Sequence, residues 1–487
     1  MSESLLLLML PLASMLIVAV YNGDKGLLSK GAVAASLISL LASVYVLLTF
    51  NSTVGFQSVS SYNWIPSLGI NLSFGLDGLS ILLVMLTNFL TPLIILATVN
   101  REIKNQRAFY ALIFLMQFAL IGVFTTLDAF VFYVFWELAL IPIYFICLMW
   151  GGKYSGAITL KFFIYTLTGS LFMLTGIIYL YLQTPGSHTF ALQSFYTLDL
   201  TAQEQSYLFW AFFLAFAIKI PIWPLHTWQP DTYTDAPTAG TMLLSGIMLK
   251  MGIYGIMRWM LPVMPLGIMQ WQNLVLVLCI IGVLYASCLA LVQNDFKRLV
   301  AYASMAHVGL IAAGVFTTNI YGLQGATIQM LAHGINAVGL FYIVDIIQSK
   351  TGTRQINELG GIAHNNRLFS ILFVIVLLGT VALPLTNGFV GEFLLLNGIF
   401  NYNIWFAAFA GLTIILGAVY MLRSYKSIML GDIASPSSKF ETLQYNEKIV
   451  LSVVAIAIIA MGICPQYFIN LAQPALENIF QLSHLHN

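Results

Sequence analysis

Residues 212–224 have the sequence FFLAFAIKIPIWP, an apolar run in which Lys219 stands directly before two prolines, Pro221 and Pro224. So apolar a run predicts a membrane-spanning helix. The prolines predict that this helix is broken, because proline lacks a backbone N–H and clashes with the preceding turn. The same combination recurs at residues 383–388, where LPLTNG precedes Glu392. The sequence therefore predicts two broken apolar helices, each with an ionisable residue beside the break.

The composition agrees with a membrane protein and excludes several other classes. Of the 487 residues, 60% are hydrophobic and only 8% are charged, with a net charge of +1, whereas soluble proteins carry about 25% charged residues. No basic face is available for nucleic acid. The four cysteines form no CxxC pair and the histidines lack ligand spacing, so we expect neither a metal site nor an iron–sulfur cluster. No glycine-rich phosphate loop follows a strand, so no nucleotide cofactor is expected either.

Hydropathy predicts an all-α polytopic protein. A spanning helix needs about 20 mainly apolar residues. This criterion predicts fourteen spans, at residues 4–21, 30–50, 78–99, 108–126, 129–149, 161–182, 206–223, 238–260, 273–293, 299–317, 321–347, 368–400, 404–425 and 447–470. The first run has no basic flank and no small-residue cleavage site, which favours a retained span over a signal peptide.

The basic residues support this count through the positive-inside rule. Sixteen of the 19 Lys and Arg fall in or beside loops that follow odd-numbered spans. They are Lys25, Lys30, Arg101, Lys104, Arg107, Lys153, Lys161, Lys297, Arg298, Lys350, Arg354, Arg367, Arg423, Lys426, Lys439 and Lys448. None follows an even-numbered span or lies in either tail. Both termini are therefore predicted on the outer side, although the loop after the seventh span has no basic residue and its side rests on parity alone.

The remaining ionisable residues lie inside predicted spans. Lys219 and Lys250 lie near the centres of the seventh and eighth spans, and Arg258 lies near the outer end of the eighth, where we expect its side chain to snorkel to the interface. Each charge at a span centre costs about 2.5–3.5 kcal/mol. The full set of buried ionisable residues predicted to carry function is Glu137, Lys219, Lys250, His307, His333 and Glu392.

These six residues suit proton transfer across the membrane. Burial favours the neutral forms of both Lys and Glu, so such groups can exchange protons near neutral pH, where histidine also titrates. We expect Lys219 to be charged when paired with Glu137 and to release its proton toward Lys250 when that pair separates. Structural alternatives remain open: the lysines as ion-pair partners only, Glu392 as a cap for freed backbone, and the histidines as packing residues.

The two broken spans lie five spans apart, which predicts an internal repeat. Because five is odd, spans 4–8 and spans 9–13 would be inverted relative to each other in the membrane, a usual sign of a transport site. The predicted organisation is residues 1–107 with the first three spans, 108–260 with the first repeat, 273–430 with the second repeat, and 447–487 with the last span and tail.

Several motifs resemble those of the antiporter-like subunits of respiratory complex I, the proton-translocating NADH:quinone oxidoreductase. The matching stretches are residues 212–224, 226–231 (HTWQPD), 236–240 (APTAG), 249–252 (LKMG), 301–307 (AYASMAH) and 329–334 (QMLAHG). Within this family the chain is most similar to the subunit M branch, equivalent to the fourth mitochondrially encoded subunit. Three features favour that branch. Sister subunits generally have lysine at the position of Glu392, residues 75–80 have the sequence GLDGLS, and the chain stops soon after the last predicted span. Gln229 and residues 231–235 depart from the commonest pattern.

The resemblance implies a function and a setting. Glu137, Lys219, Lys250, His307, His333 and Glu392 occupy the family's proton-path positions. The chain itself would hold no cofactor, while NADH, FMN, iron–sulfur clusters and quinone would belong to partner subunits. Its partners would be other membrane subunits, including sister antiporter-like subunits, in a bacterial inner membrane with periplasmic termini, or else in the mitochondrial inner membrane. The rival interpretations are a D-type cation/proton antiporter subunit, a related photosynthetic or hydrogenase subunit, and a structural spacer that moves no protons.

Overall fold

The computed structural model describes residues 2–53 and 55–484, and nearly all of their regular structure is helical. In chain order the helices are α1 Glu3–Val20, α2 Lys25–Thr49, α3 Gly78–Thr98, α4 Gln106–Thr125, α5 Ala129–Trp150, α6 Ser155–Gln183, α7 Leu192–Tyr196, α8 Ala202–Lys219, α9 Gln229–Asp235, α10 Thr238–Met260, α11 Pro265–Val292, α12 Phe296–Phe316, α13 Ile320–Thr351, α14 Ile362–Asn365, α15 Arg367–Thr380, α16 Asn387–Tyr402, α17 Ile404–Met429, α18 Tyr445–Ile463 and α19 Pro465–Leu482. Strands β1 Gln57–Ile65 and β2 Ile70–Leu76 pair antiparallel.

Twelve helices in the described part of the chain are long and apolar enough to cross a membrane: α1–α6, α10–α13, α17 and α18. The chain is therefore a mostly helical, multi-pass membrane protein. The broken segments fall outside this set for two reasons. Helix α8 is as long as α1, with 18 residues, but it begins with the polar sequence AQEQS, and the second broken segment is divided into two short helices. Helix α15 has 14 residues and α16 has 16, each less than the roughly 20 needed to span alone.

Burial divides the helices into a centre and a rim. The most apolar windows of α10 and α12 are completely buried and that of α13 is 94% buried, whereas only 28% is buried in α2 and α17. Rim helices turn large apolar side chains outward, as expected where lipid is the solvent. The three central helices carry Lys250, His307 and His333, so these side chains lie far from lipid.

Both predicted breaks are present. Helix α8 ends at Lys219, two residues before Pro221, and the next helix, α9, begins at Gln229. Helix α15 ends at Thr380 and α16 begins at Asn387. Within the second break Ala382 and Leu385 have positive φ, so the chain leaves the helical path there. Gly388 allows the two halves to touch, because a β-carbon at this position would lie 2.1 Å from the carbonyl oxygen of Gly379.

Two elements differ from the hydropathy prediction. The hairpin β1–β2 precedes α3 and was not predicted. The last span was predicted to run to residue 470, but α18 ends at Ile463 and Pro465 begins a separate helix, α19. Proline is favoured in the first turn of a helix and cannot continue the one before it. The predicted end of the last span was therefore wrong by several residues.

Candidate functional site

Lys250 lies in the middle of α10, where the helix changes geometry. Turns of π-helix at Leu244–Met248 and Ile256–Met260 lie on either side of it, and such turns are frequent at functional sites. The Lys250 Nζ donates to the Ser245 carbonyl oxygen at 2.6 Å and lies 2.8 Å from Nδ1 of His333. With 1% of Lys250 exposed, these protein atoms take the place of water around the amine.

His333 on α13 connects α10 to α12. Its Nδ1 faces Lys250, and its Nε2 lies 3.0 Å from Oγ of Ser304. A neutral imidazole donates at one nitrogen and accepts at the other, so a proton accepted on one side can be released on the opposite side. Ser304 had no role in the sequence prediction, although it precedes His307 by three residues and therefore shares its face of α12.

His307 and Glu392 form the other end of this row. The rings of His307 and His333 lie 6.2 Å apart, centroid to centroid. Nδ1 of His307 lies 2.9 Å from Oε1 of Glu392, but the approach does not satisfy hydrogen-bond geometry. The amide of Gln329 donates to the same carboxylate oxygen over 3.4 Å. His307 and Glu392 are therefore close together without a hydrogen bond between them.

Glu137 and Lys219 form a second group, on α5 and α8. They interact electrostatically, yet the ion pairs within 4.0 Å found among the described residues do not include them, and Oε1 of Glu137 has no hydrogen-bond partner there. The ammonium of Lys219 lies 5.2 Å from the ring centroid of Trp136, a cation–π contact. Glu137 and Lys219 are therefore close enough to interact electrostatically, but they form no direct ion pair.

A bend in α5 lies beside Glu137. The regular helix is interrupted at Ala139, because Pro142 has no N–H to donate to the carbonyl of Leu138. This second kind of break was not predicted, although Pro142 follows Glu137 by five residues. Part of the Glu137 residue is exposed, whereas Oε1 of its carboxylate is buried.

The two groups meet where α10 packs on the end of α8. A β-carbon on Gly252 would lie 2.6 Å from Cγ1 of Ile220 and 3.1 Å from the carbonyl oxygen of Phe216. Gly252 follows Lys250 by two residues, and Ile220 follows Lys219 directly. The absence of a side chain at Gly252 therefore brings the backbones that carry the two lysines into contact.

A small cavity of about 20 Å³ lies among the histidines, with room for a single water molecule. Its wall is formed by α12, α13 and the end of α15: Val300, Ala303, Ser304, His307, Gln329, His333, Asn336, Ala337, Leu340 and Thr380. The four central predicted residues, Lys250, His333, His307 and Glu392, thus form one row, and its two histidines line the cavity.

The interpretation of Arg258 as a snorkelling residue was wrong. Arg258 is 3% exposed, and its Nη2 lies 2.5 Å from Oδ2 of Asp77, itself 5% exposed. Asp77 caps α3 by accepting from the backbone N–H of Ser80. The guanidinium also lies over the ring of Phe56, in the chain before β1. Arg258 therefore connects α10 to the start of α3 and to the chain before β1, and its side chain does not reach water.

A larger cavity of about 920 Å³ opens among the basic loops. Its wall includes Arg101, Lys153 and Arg354, from three different connections between helices, and Asp235, the last residue of α9. Lys297, assigned from the sequence to a loop, lies in the first turn of α12 with only 5% exposed, and its Nζ donates to the Ala236 carbonyl oxygen at 2.5 Å. This lysine was overlooked because its position beside Arg298 resembles that of an ordinary flanking charge.

Comparisons with known proteins agree on one family. Residues 126–417 match the family described as NADH:quinone oxidoreductase/Mrp antiporter, TM, and residues 5–123 match NADH-ubiquinone oxidoreductase chain 4, amino terminus. The chain is 39% identical over 452 residues to NADH-quinone oxidoreductase subunit M of Rickettsia bellii, covering 92% of this chain and 91% of that one.

Comparison with solved structures agrees with this family. A chain of respiratory complex I from Thermus thermophilus superposes with a TM-score of 0.91 at 30% identity, covering 99% of both chains. A chain of the Mrp complex from Dietzia superposes with a TM-score of 0.86 at 21% identity, covering 98% of this chain and 97% of that one. The second likeness concerns the fold alone.

Proposed function

This chain belongs to the NADH:quinone oxidoreductase/Mrp antiporter family, and from this membership we propose that it is a proton-translocating membrane subunit, of the subunit M type, in an NADH:quinone oxidoreductase. The observation that carries the proposal is the row of buried titratable side chains from Lys250 through His333 and His307 to Glu392. The name of the Rickettsia relative supports the oxidoreductase setting. The Mrp complex, at 21% identity, supports only a shared fold.

In the proposed mechanism, the distance between Glu137 and Lys219 controls when a proton enters the row. When Glu137 approaches, the ammonium of Lys219 is stabilised; when Glu137 moves away, attraction in this low-dielectric interior falls and the proton moves toward Lys250. From Lys250 it passes to His333, whose ring nitrogens face Lys250 and Ser304. Moving one charge against 100 mV costs about 2.3 kcal/mol, so opening of the Glu137–Lys219 pair must be coupled to an energy source.

That energy source is proposed to lie in partner subunits. The chain would act as the translocase part of the enzyme without a redox centre of its own, while NADH, FMN, iron–sulfur clusters and quinone would be bound by partners. The partly exposed side chain of Glu137 is proposed to face a neighbouring membrane subunit, with Oε1 of its carboxylate buried in this chain. The proposed location is a bacterial inner membrane, with both termini on the periplasmic side.

The proposed topology has fourteen spans, counting α8 with α9 and α15 with α16 as broken spans. The large cavity supports this count, because it brings Asp235, which follows the seventh predicted span, to the same mouth as Arg101, Lys153 and Arg354. The loop after the seventh predicted span has no basic residue, and only the order of the spans assigned it to the inner side. It thus shares a surface with loops that carry basic residues. The inverted repeat of spans 4–8 and 9–13 is supported by the corresponding breaks in α8–α9 and α15–α16.

The proposal is tested by replacing Lys250 with methionine, which keeps the length of the side chain but cannot carry a proton. In membrane vesicles containing the whole complex, Lys250→Met is expected to lower the initial rate of proton uptake by at least about tenfold, as for loss of a positioned acid–base group. NADH oxidation with an artificial acceptor should persist. Lys153→Met, at an exposed lysine, is the control. Normal pumping by an assembled Lys250→Met complex would contradict the proposal.

The rivals are separated by two further observations. A structural spacer would assemble and pump normally when Glu137→Gln and Lys219→Met are combined, whereas a proton path would not. A cation/proton antiporter subunit would co-purify with other hydrophobic antiporter subunits instead of flavin and iron–sulfur subunits. Photosynthetic or hydrogenase relatives would be recognised by the electron-donating subunits that co-purify.

A further inference from the structure

Two buried asparagines meet at the break between α15 and α16. Asn336 follows His333 by three residues on α13 and lines the small cavity, and Asn387 is the first residue of α16. Their exposed fractions are 4% and 0%. Within residues 2–53 and 55–484, Oδ1 of Asn336 and both polar atoms of the Asn387 side chain have no hydrogen-bond partner. Three such atoms at one place are costly, since a buried polar group without a partner has lost the hydrogen bonds that it made to water.

Gly379 shows that these carboxamides face a common point. A β-carbon built on Gly379 would lie 2.9 Å from Cγ2 of Ile458, 3.2 Å from Oδ1 of Asn336 and 3.3 Å from Oδ1 of Asn387. The next residue, Thr380, lines the small cavity together with Asn336, His333 and His307. The two carboxamides therefore lie close together at Gly379, and the cavity beside Asn336 provides the room for water.

We propose that Asn336 and Asn387 bind one or more water molecules beside Gly379, and that this water forms a branch of the proton path between the histidine pair and the break. A buried water typically makes about three hydrogen bonds to groups that lack other partners, and two carboxamides offer both donors and acceptors. Neither residue ionises, so both act as positioning residues that hold water between titratable groups.

The alternative is that the two asparagines only stabilise the broken backbone. Asn387 lies in the first turn of α16, where freed N–H groups occur, but its side chain accepts from none of them in the described chain. Its two neighbours along the break are engaged with protein: Thr386 donates to the Leu383 carbonyl oxygen at 2.7 Å, and Gly388 packs on Gly379. A capping role alone therefore leaves both polar atoms of Asn387 unexplained.

The inference rests on the proposed function only for its effect on transport, so the experiment has two readouts. The first is a structure of the whole complex at a resolution that shows ordered water, where density is expected within hydrogen-bond distance of Asn336 and Asn387. A direct amide–amide hydrogen bond with no water beside Gly379 would overturn the inference. This readout does not depend on whether the chain pumps protons.

The second readout is proton pumping relative to NADH oxidation in vesicles. Asn387→Leu removes a water ligand, and Gly379→Ala presses a methyl group against both carboxamides and Ile458. Both should lower the pumping rate about tenfold, while Asn387→Ser, which keeps room and a hydroxyl, should recover much of it. Asn401→Leu, at an exposed site on the same helix, and Gly411→Ala, whose β-carbon meets nothing within 4 Å, are the controls.

The outcomes separate the two claims. Normal pumping by assembled Asn387→Leu and Gly379→Ala complexes, with Lys250→Met inactive, would reject the water branch and leave the proposed function standing. Normal pumping by Lys250→Met would reject the proposed function itself. If Asn387→Leu does not assemble, Asn387→Ser and the water density in the unaltered complex still decide the question.

Discussion

At the scale of single residues, the buried charges differ in how tightly each is paired. Arg258 and Asp77 are in direct contact at 2.5 Å and are both buried. Lys219 has only an electrostatic and an aromatic contact, and His307 approaches Glu392 without alignment. Tight pairing holds two elements together, whereas loose pairing lets a group change partners at low cost. The second condition is what proton transfer requires.

Replacing Arg258 with methionine is expected to destabilise the protein strongly. It leaves Asp77 buried without its counter-charge, and breaking a buried ion pair in this way costs about 3–5 kcal/mol. Heat-induced loss of the purified complex should therefore occur at a clearly lower temperature, and addition of Asp77→Asn should recover part of the loss. Arg298→Met is the control, because the Arg298–Asp231 pair is partly exposed to solvent, and ion pairs near the surface contribute about 0–1 kcal/mol. Equal effects of the two replacements would contradict this interpretation.

At the scale of helices, irregular backbone coincides with the functional row. Lys219 ends α8, Lys250 lies between two π-helical turns, Glu137 precedes a bend in α5, and Glu392 follows the break before α16. Interrupted helices leave backbone groups without helical partners, and these groups can bind water or side chains at membrane depth. The breaks are therefore part of the site and not only consequences of proline.

The contact between the halves of the second broken helix depends on Gly388. Gly388→Ala would place a methyl group 2.1 Å from the Gly379 carbonyl oxygen, and because backbone must move, a loss of about 1–3 kcal/mol is expected. The thermal stability of the complex measures it. Gly411→Ala, in open space on α17, should be neutral or slightly stabilising, since alanine favours helix. Unchanged stability of the Gly388→Ala complex would show that the halves are not in close contact.

At the scale of the whole molecule, contacts join the helix ends and connections at each end of the bundle. At the end with the basic loops, the backbone N–H of Gly361 donates to the carbonyl of Leu430, joining the connections before α15 and after α17. At the opposite end, Tyr402, the last residue of α16, donates to Asn273 in α11, and Asn319, which precedes α13, donates to the carbonyl of Gly398 in α16. This grouping agrees with the alternation of charged and uncharged loops.

Cysteine labelling tests the proposed arrangement across the membrane. In a chain with Cys288 and Cys464 changed to serine, a membrane-impermeant maleimide added to intact cells should label Gln203→Cys but not Lys104→Cys. Both positions are exposed, and they lie on opposite sides in the fourteen-span topology. Inside-out vesicles should give the reverse pattern. Labelling of both from one side would contradict the topology.

Much of the membrane fold could be predicted from the sequence because its signals are local. Each apolar run of spanning length, each proline in a broken span and each cluster of Lys and Arg can be recognised in a short stretch of chain. The hairpin β1–β2, the bend at Ala139 and the separate helix α19 were not predicted. Their signals are weak, because a single proline or a short alternating stretch is compatible with several conformations.

By itself the sequence determined the class of protein and the set of buried ionisable residues, since the cost of burying charge makes each one conspicuous in an apolar helix. Only the tertiary structure decided which of them touch. It joined Lys250 to His333 across 83 positions and Arg258 to Asp77 across 181, and it brought Asn336 to Asn387. Such contacts depend on the rotation and crossing of packed helices, which hydrophobic periodicity does not specify when a helix is buried on every side.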